Sequence, residues 1–364
     1  MKLNLIFFIS EFNLGGAGNS IFKLCKNLSK KNYKISVICL NKCYYKKKLN
    51  NNRVKVYEIK SSRTLFAMTK IKKLTEKLIN NNYKNIFISN IHFSNVLSVL
   101  FLRNLRMKII LIERTPYQEL NIYYGMIDFF KKNFLKALIN LTFSKADICI
   151  SNSKFISQEY NKNYNLKFIT IYPPSFSGKI YFKNKKKIKN KIIFGTVCRL
   201  SKEKNLANLI NYLSNFKKEF SFYIIGDGAE RIKLTKLVKK LKLEKKIKFF
   251  GKVSPEKISA YFKKIDFYIN SSDFEGFPNS VVEALSHNIP VIASQSFGGI
   301  NEILSGKRFG YIYSNDYELK EILNKIISHK IDFKIDKIKL LNHLNKFNER
   351  ENFKKYDHLF KSFI

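Results

Sequence analysis

Two glutamates, Glu275 and Glu283, stand eight positions apart in SSDFEGFPNSVVEAL, residues 271 to 285, with Gly276 and Pro278 between them. Glycine and proline forbid one continuous helix through both carboxylates. Glu275 is therefore placed in a loop after the strand-like run DFYINSS, and Glu283 in the first turn of a helix capped by Asn279 or Ser280. A carboxylate has two acceptor oxygens and matches the paired donors of a vicinal diol such as a ribose. The helix dipole favours both a carboxylate and a bound phosphate at that end. The pair alone is equally well explained as a dipole-stabilised helix glutamate with an incidental loop neighbour.

Two loops could hold phosphate. In FGTVCRLSKEKN, residues 194 to 205, a strand delivers Arg199 and, five residues later, Lys204 ahead of a helix. A guanidinium and an ammonium at a strand's carboxyl end suit a diphosphate, the first by bidentate hydrogen bonds and the second as a point charge. Solvated cations in a lysine-rich chain are the plainer alternative. In SEFNLGGAGNS, Gly15, Gly16 and Gly18 lie between strand and helix, where bare N–H groups can cradle an anion. Their spacing fits neither G-x-G-x-x-G nor a P-loop, so a simple tight turn explains them as well.

The elements that must carry these loops follow from composition and rhythm. A chain of 364 residues with 45% hydrophobic content implies two folded domains. Its 68 Lys and Arg against 27 Asp and Glu give a net charge of +41. That charge would attract nucleic acid, a membrane surface or a phosphorylated substrate, although A/T-biased codons would also enrich Lys, Asn, Ile, Phe and Tyr together. Five cysteines, Cys25, Cys39, Cys43, Cys149 and Cys198, are odd in number and lie mostly in apolar runs, as reduced thiols do. Cys39 and Cys43 lack companions at zinc-ligand spacing. LNLIFFIS is too short for a signal-peptide core, and no apolar run approaches the ~20 residues needed to span a bilayer. A soluble or peripheral protein is expected.

LNLIFFIS, KISVICL, RVKVYEI, NIFISN, MKIILIE, DICIS and KFITIY read as buried parallel strands. Helices are expected from 19 onward, around 66–81, over SNVLSVLFLRN, over 120–144 and at 153–162. YPPSFSGKIYFKNKKKIKNK breaks the rhythm. It then restarts with IIFGTVC, FSFYIIG, KIKFFG, DFYINSS and PVIAS between further helices, and ends in a helix near 340–360. The expected fold is α/β, with two doubly wound Rossmann-like domains facing across a cleft that holds the site. The boundaries are 1–172, a linker at 173–190 and 191–344, with the helix at 345–364 packing back on the first domain.

FEGFPNSVVEAL, IPVIAS and GGINEIL resemble the retaining glycosyltransferases of family 4, which have the GT-B fold and carry such a glutamate pair. The likeness extends back through GTVCRLSKEKNLANLI, FYIIGDGAER, KIKFFGKVS and KADICISNS to the N-terminal LGG loop, and is most specific in the second half. It implies that Glu283 binds the donor ribose, Glu275 the transferred sugar, and Gly276, Phe277, Pro278, Asn279 and Ser280 line the donor. Arg199 and Lys204 would neutralise the diphosphate leaving group, with Gly15 and Gly16 meeting it from the first domain. Lys252 and Val253, in FFGKVS, would form the base slot. It further implies no cofactor and no metal, because the cations do that work. Cys198 stands where the family often has glycine.

On the acceptor side, Glu113 and Arg114 in LIERTP resemble a subgroup that extends lipid-linked or surface glycans, and they are favoured over His92 in SNIHFSN for acceptor contact. His287, His329, His343 and His358 read as surface or packing residues. DFFKKNFLKALINLTFSK, 128–145, carries four lysines beside an apolar face and reads either as a helix on anionic lipid or as a covering helix of the sheet. The implied function is a hexosyl or N-acetylhexosaminyl transfer from a nucleotide sugar, UDP-linked, to a glycan or polyprenyl-diphosphate-linked acceptor. This would occur in the cytoplasm or on the cytoplasmic face of the inner membrane. A nucleotide-sugar epimerase on the same fold is the first alternative. A nucleic-acid-binding protein is the second, and dispersed basic residues without a recognition motif argue against it.

Overall fold

Runs of Ile, Phe and Val as continuous as IFISN and IILIE cannot leave a face in water, and both become interior strands of parallel sheets. The structure is a computed structural model and describes residues 2–181, 191–216, 218–306, 308–328 and 336–364. It divides into two compact units, Met1–Ser175 with Phe347–Ile364, and Phe176–Lys346. The lysine run of the expected linker (182–190) and His329 lie outside the described residues.

The first unit has seven strands: β1 (Lys2–Phe8), β2 (Lys34–Cys39), β3 (Lys55–Glu58), β4 (Tyr83–Asn90), β5 (Lys108–Glu113), β6 (Ile148–Ser151) and β7 (Phe168–Thr170). They pair in parallel in the order β3-β2-β1-β4-β5-β6-β7, so the strand order reverses between β1 and β4. Its helices are α1 (Gly16–Leu28), α2 (Lys46–Asn50), α3 (Thr64–Leu78), α4 (His92–Leu102), α5 (Met126–Thr142) and α6 (Lys154–Tyr164). Side chains alternate along β1. Leu3, Leu5 and Phe7 pack with Ile21, Leu24 and Cys25 of α1, and Phe353, Tyr356 and Phe360 of the C-terminal helix join the same core. Ile6 and Phe8 face the other way, into a core with Met68 and Ile71 of α3 and Val96 and Val99 of α4.

The second unit has β8 (Ile192–Val197), β9 (Phe220–Ile225), β10 (Ile247–Gly251), β11 (Phe267–Asn270), β13 (Val291–Ser294) and β15 (Gly310–Tyr313), in the order β10-β9-β8-β11-β13-β15. A separate two-stranded piece pairs β12 (Phe274–Glu275) with β14 (Phe297–Gly298). Its helices are α7 (Leu206–Ser214), α8 (Arg231–Lys240), α9 (Pro255–Phe262), α10 (Asn279–Ser286), α11 (Ile300–Leu304), α12 (Asp316–Ile327) and α13 (Lys337–Leu344); α14 (Glu349–Lys361) closes the chain in the first unit.

Several boundaries differ from expectation. Helix α1 starts at Gly16 rather than at a cap on Asn19 or Ser20, with Gly15 as its N-cap. The Asn13 side chain turns the chain early by accepting from the Gly15 N–H at 2.9 Å. The single helix expected over 120–144 is a 3₁₀ turn, Tyr117–Asn121, followed by α5. Gly125 lies between them at φ 131°, a conformation no helix contains. The helix near 340–360 is likewise two. Phe347 turns fully inward between α13 and α14, and the Asn348 side chain accepts from the Arg350 N–H to cap the second helix.

Candidate functional site

In the second unit, β8 and β11 are neighbours, with Phe194 opposite Phe267 and Gly195 opposite Tyr268, so the loops that follow them begin side by side. The first loop makes a 3₁₀ turn at Lys202–Lys204 and enters α7 through Asn205 at φ 51°. The second carries Ser271, Ser272 and Asp273 into β12. Four contacts stitch them together. Asp273 N–H donates to Glu203 O at 2.8 Å, Asn205 Nδ2 to Asp273 Oδ1 at 2.9 Å, and Ser271 Oγ to Lys204 O at 2.7 Å. The fourth is the ion pair at the centre, with Lys204 Nζ 2.5 Å from Glu275 Oε1, which also accepts from Ser272 Oγ at 3.0 Å.

The side chains of Lys204 and Glu275 are only 12% and 18% exposed. Burial works against the Lys204 charge, but the adjoining Glu275 carboxylate outweighs it and holds the ammonium above its ordinary pKa. Glu275 is set by the β12–β14 pairing, in which it lies opposite Gly298. A side chain at Gly298 would bring Cβ within 1.5 Å of Glu275 O, and φ there is +126°. Only glycine fits.

The remaining donor-side candidates occupy the rim. Arg199 is 68% exposed and pairs with Glu203 at 3.1 Å, so it stands in solvent beside Lys204's loop rather than in the buried pair. Glu283 is the fifth residue of α10, one or two positions further into the helix than expected, because the helix opens at Asn279 with Pro278 as its N-cap. Its backbone carbonyl accepts from Ser286 Oγ and lies 2.8 Å from His287 Nδ1. His287 and His343 are buried packing residues, and His358 is exposed. Gly276 precedes the buried Phe277 and Pro278. Ser280 Oγ accepts from Tyr268 OH at 2.8 Å, tying α10 to β11. Lys252 and Val253 follow β10, where Gly251 O accepts from Gly226 N–H at 2.8 Å. Gly226 in turn abuts Cys198 O so closely that a Cβ would lie 1.8 Å away. The close backbone approach near Cys198 is thus met from the other side by Gly226. Burial pushes the Cys198 thiol up to about 11. Ser271 and Ser272 escape sequence reasoning, because small polar residues in such a loop carry no signal.

In the first unit, Gly15 and Gly16 open α1 at the carboxyl end of β1, and Gly18 packs on Asn13 O, where a Cβ would lie 2.1 Å away. Glu113 corrects the expectation of acceptor contact. It is fully buried at the end of β5. Oε1 accepts from the N–H groups of Arg114 and Thr115 at 2.8 and 3.2 Å, and Oε2 lies 2.9 Å from His92 Nδ1 and accepts from Asn95 Nδ2 at 3.4 Å. Its oxygens are committed to holding the loop, so its role is positional. His92, the alternative, belongs to the same cluster. Its Nδ1 is also 3.0 Å from Tyr160 OH, and the preceding Ile91 is held at φ 77°, a costly conformation for a β-branched residue. Burial disfavours the imidazolium, but Glu113 overrides it and raises the His92 pKa. Arg114 is half-buried, with Nε donating to Asn90 Oδ1 at 3.2 Å.

Among the described residues no group of three His, Cys, Asp or Glu could hold a metal ion. No helix among them is long and apolar enough to cross a membrane.

Two doubly wound parallel-sheet units in one chain, with a cation and carboxylates gathered beyond the strand ends of the second, define the GT-B class of glycosyltransferases. Comparison with known proteins narrows the class. Residues 14–175 match the model of Glycosyltransferase Family 4, and residues 179–350 that of Glycosyl transferases group 1. The chain belongs to glycosyltransferase family 4. The N-acetylgalactosamine-N,N'-diacetylbacillosaminyl-diphospho-undecaprenol 4-alpha-N-acetylgalactosaminyltransferase of Campylobacter jejuni is 32% identical over 50% of this chain and 51% of its own. The lipopolysaccharide 1,6-galactosyltransferase of Escherichia coli is 27% identical over 37% of this chain and 39% of its own. The chain therefore spans about half the length, or less, of these curated relatives. Anabaena HepE in complex with UDP-glucose shares the fold at a TM-score of 0.78 and 17% identity, over 99% of this chain and 100% of that one.

Proposed function

We propose that the protein is a retaining glycosyltransferase. It moves a hexose or N-acetylhexosamine from a UDP-sugar to a glycan or lipid-linked acceptor in the synthesis of a bacterial surface polysaccharide or lipopolysaccharide. The observation that carries this reading is the half-buried Lys204–Glu275 pair at the adjoining ends of β8 and β11, beside the start of α10. Glu275 takes hydroxyls of the transferred sugar, and Glu283 takes the ribose diol. Lys204, with Arg199 at the rim, takes the diphosphate. The loop from Gly276 to Ser280 lines the donor, and Lys252 and Val253 flank the base.

The step breaks the bond between the anomeric carbon and the diphosphate oxygen. The acceptor oxygen bonds to the same face, and its proton passes to the departing phosphate. Negative charge grows on that phosphate, and Lys204 is already ordered to meet it without a divalent cation. On the first unit, Arg114 is the acceptor-facing group, oriented by Asn90 and by the Glu113–His92 cluster.

Peripheral attachment to the cytoplasmic face of an anionic membrane is part of the proposal, and the apolar residues of α5 support it more than Lys132 and Lys136 do. Lys132 is bound to Ile122 O and Asp128, and Lys136 to Tyr123 OH. Met126, Ile127, Phe129, Phe130 and Phe134 are instead all exposed, and within α5 only Ile139 and Thr142 are fully buried. Such an apolar tip inserts into the lipid interface.

The test is product analysis. The purified chain with UDP-sugars and a diphosphate-linked saccharide should release UDP and form a glycosidic bond of unchanged anomeric configuration, read by NMR. A free epimer of the sugar nucleotide, or an inverted linkage, would refute the proposal.

A further inference from the structure

A cavity of about 1070 Å³ opens in the first unit beyond the carboxyl ends of β2 and β3, among residues to which the transfer reading gives no role. Its walls include Lys42, Lys46, Lys47 and Lys60, together with Ser61 and Ser62. The one carboxylate present, Glu58, is already committed. Its Oε1 accepts from the Cys43 N–H at 2.9 Å, and its Oε2 pairs with Lys46 Nζ at 2.9 Å. Among the described residues, Lys42, Lys47 and Lys60 have no carboxylate within 4 Å. All three are exposed, and they come from two separate segments onto one concavity.

The frame around them is rigid. Lys60 sits at φ 56°, held there by Ile59 N–H to Cys39 O at 2.9 Å and Ser61 N–H to Leu40 O at 3.2 Å. A lysine in the left-handed region is uncommon, and surrounding bonds must hold it there. The 40–45 segment is tied to the loop after β1 by Leu40 N–H to Ser10 O and Tyr44 N–H to Phe12 O, both at 3.1 Å. The cavity thus adjoins the loop that leads to Gly15. Tyr44 stands 55% exposed at its rim, a flat apolar face beside the cations.

We infer that this cavity binds the diphosphate of the acceptor, a polyprenyl-diphosphate-linked saccharide. The inference rests on the transfer reading above for the identity of the acceptor, but not for the binding of diphosphate. Ammonium groups with flanking hydroxyls suit two adjoining phosphoryl groups. Ligand pockets commonly measure about 300–1,000 Å³, so a sugar ring fits beside them, against Tyr44. The donor's own diphosphate is served by Lys204 on the other unit, which leaves these lysines for the second substrate.

The experiment measures binding of farnesyl diphosphate, inorganic pyrophosphate and UDP to the full chain by calorimetry. The proteins are wild type, Lys42→Gln/Lys47→Gln/Lys60→Gln, and Lys47→Gln alone in case the triple variant folds poorly. Wild type should bind farnesyl diphosphate and pyrophosphate. The triple variant should bind both at least about tenfold more weakly, the loss of one charge-assisted contact or more, and UDP equally well. Unchanged diphosphate affinity in a folded triple variant overturns the inference. So does a parallel loss of UDP, which would make the cavity part of the donor site. A matching loss for pyrophosphate but none for farnesyl diphosphate also overturns it, since the site would then serve a free anion. If no glycosyl transfer is found yet the triple variant still loses both diphosphates, the transfer reading falls and the diphosphate site stands.

Discussion

Replacing Lys204 by Met separates a structural role of the buried pair from a chemical one. Breaking a fully buried ion pair costs about 3–5 kcal/mol, because the surviving charge is left without a partner. Here 12% of one side chain and 18% of the other remain in contact with solvent, and Ser272 Oγ still donates to Glu275. We therefore expect a loss of about 2–3 kcal/mol in urea denaturation. That falls within the ~5–15 kcal/mol stability of ordinary domains, so the protein stays folded. Adding Glu275→Gln removes the stranded charge, and the double variant should recover roughly half of the lost stability. Turnover should behave differently. Lys204 meets charge that develops only as the diphosphate departs, so UDP release at saturating donor should fall ~100- to 1,000-fold in the single variant. Restoring stability with Glu275→Gln should rescue none of it. If turnover recovers along with stability, or if the single variant keeps more than about a tenth of wild-type turnover, the leaving-group role of Lys204 is refuted.

Glu283→Gln should weaken UDP-sugar binding by about 1.5–3 kcal/mol in calorimetry, as expected for hydrogen bonds to a charged acceptor; equal affinity would remove the ribose assignment. Activity should persist in excess EDTA, and loss restored by magnesium or manganese would show that the Lys204 loop does not stand in for a metal. Phe130→Ser with Phe134→Ser should lower binding to anionic vesicles while leaving the melting temperature unchanged, whereas Lys132→Gln, whose ammonium is bound to Ile122 O and Asp128, should not lower vesicle binding. Thermal stability should fall as the pH rises through neutrality. Burial lifts the Glu159 carboxyl from 4.5 to about 7, so the stability it contributes is present below 4.5 and lost as the pH climbs toward 7. The raised His92 adds to the same trend: its contribution is present below its ordinary 6.5 and is lost as the pH rises through its folded value. Melting curves of Glu159→Gln should be flatter with pH, and a slope identical to wild type would contradict this.

The alternation of strands and helices is written in the chain itself. A strand buried on both faces must be apolar at nearly every position, and LIFF, IFIS and IILI are so in any context. The family's motifs are equally local, and they single out Lys204, Glu275 and Glu283. Single side chains that bend the backbone are harder to foresee: Asn13 started α1 early, and Gly125 split the helix expected over 120–144. What tertiary structure alone decided is which groups meet. Lys204 and Glu275 are 71 residues apart and touch only because β8 and β11 are sheet neighbours. His92 and Glu113 looked like competing candidates, yet they share one hydrogen-bonded cluster because β4 and β5 end side by side. Whether α5 covers the sheet or offers its apolar tip outward was likewise open, since periodicity shows that a face is apolar but not what it faces. Propensity and burial act along the chain, whereas a pair's geometry depends on sheet order, which no short stretch of residues contains.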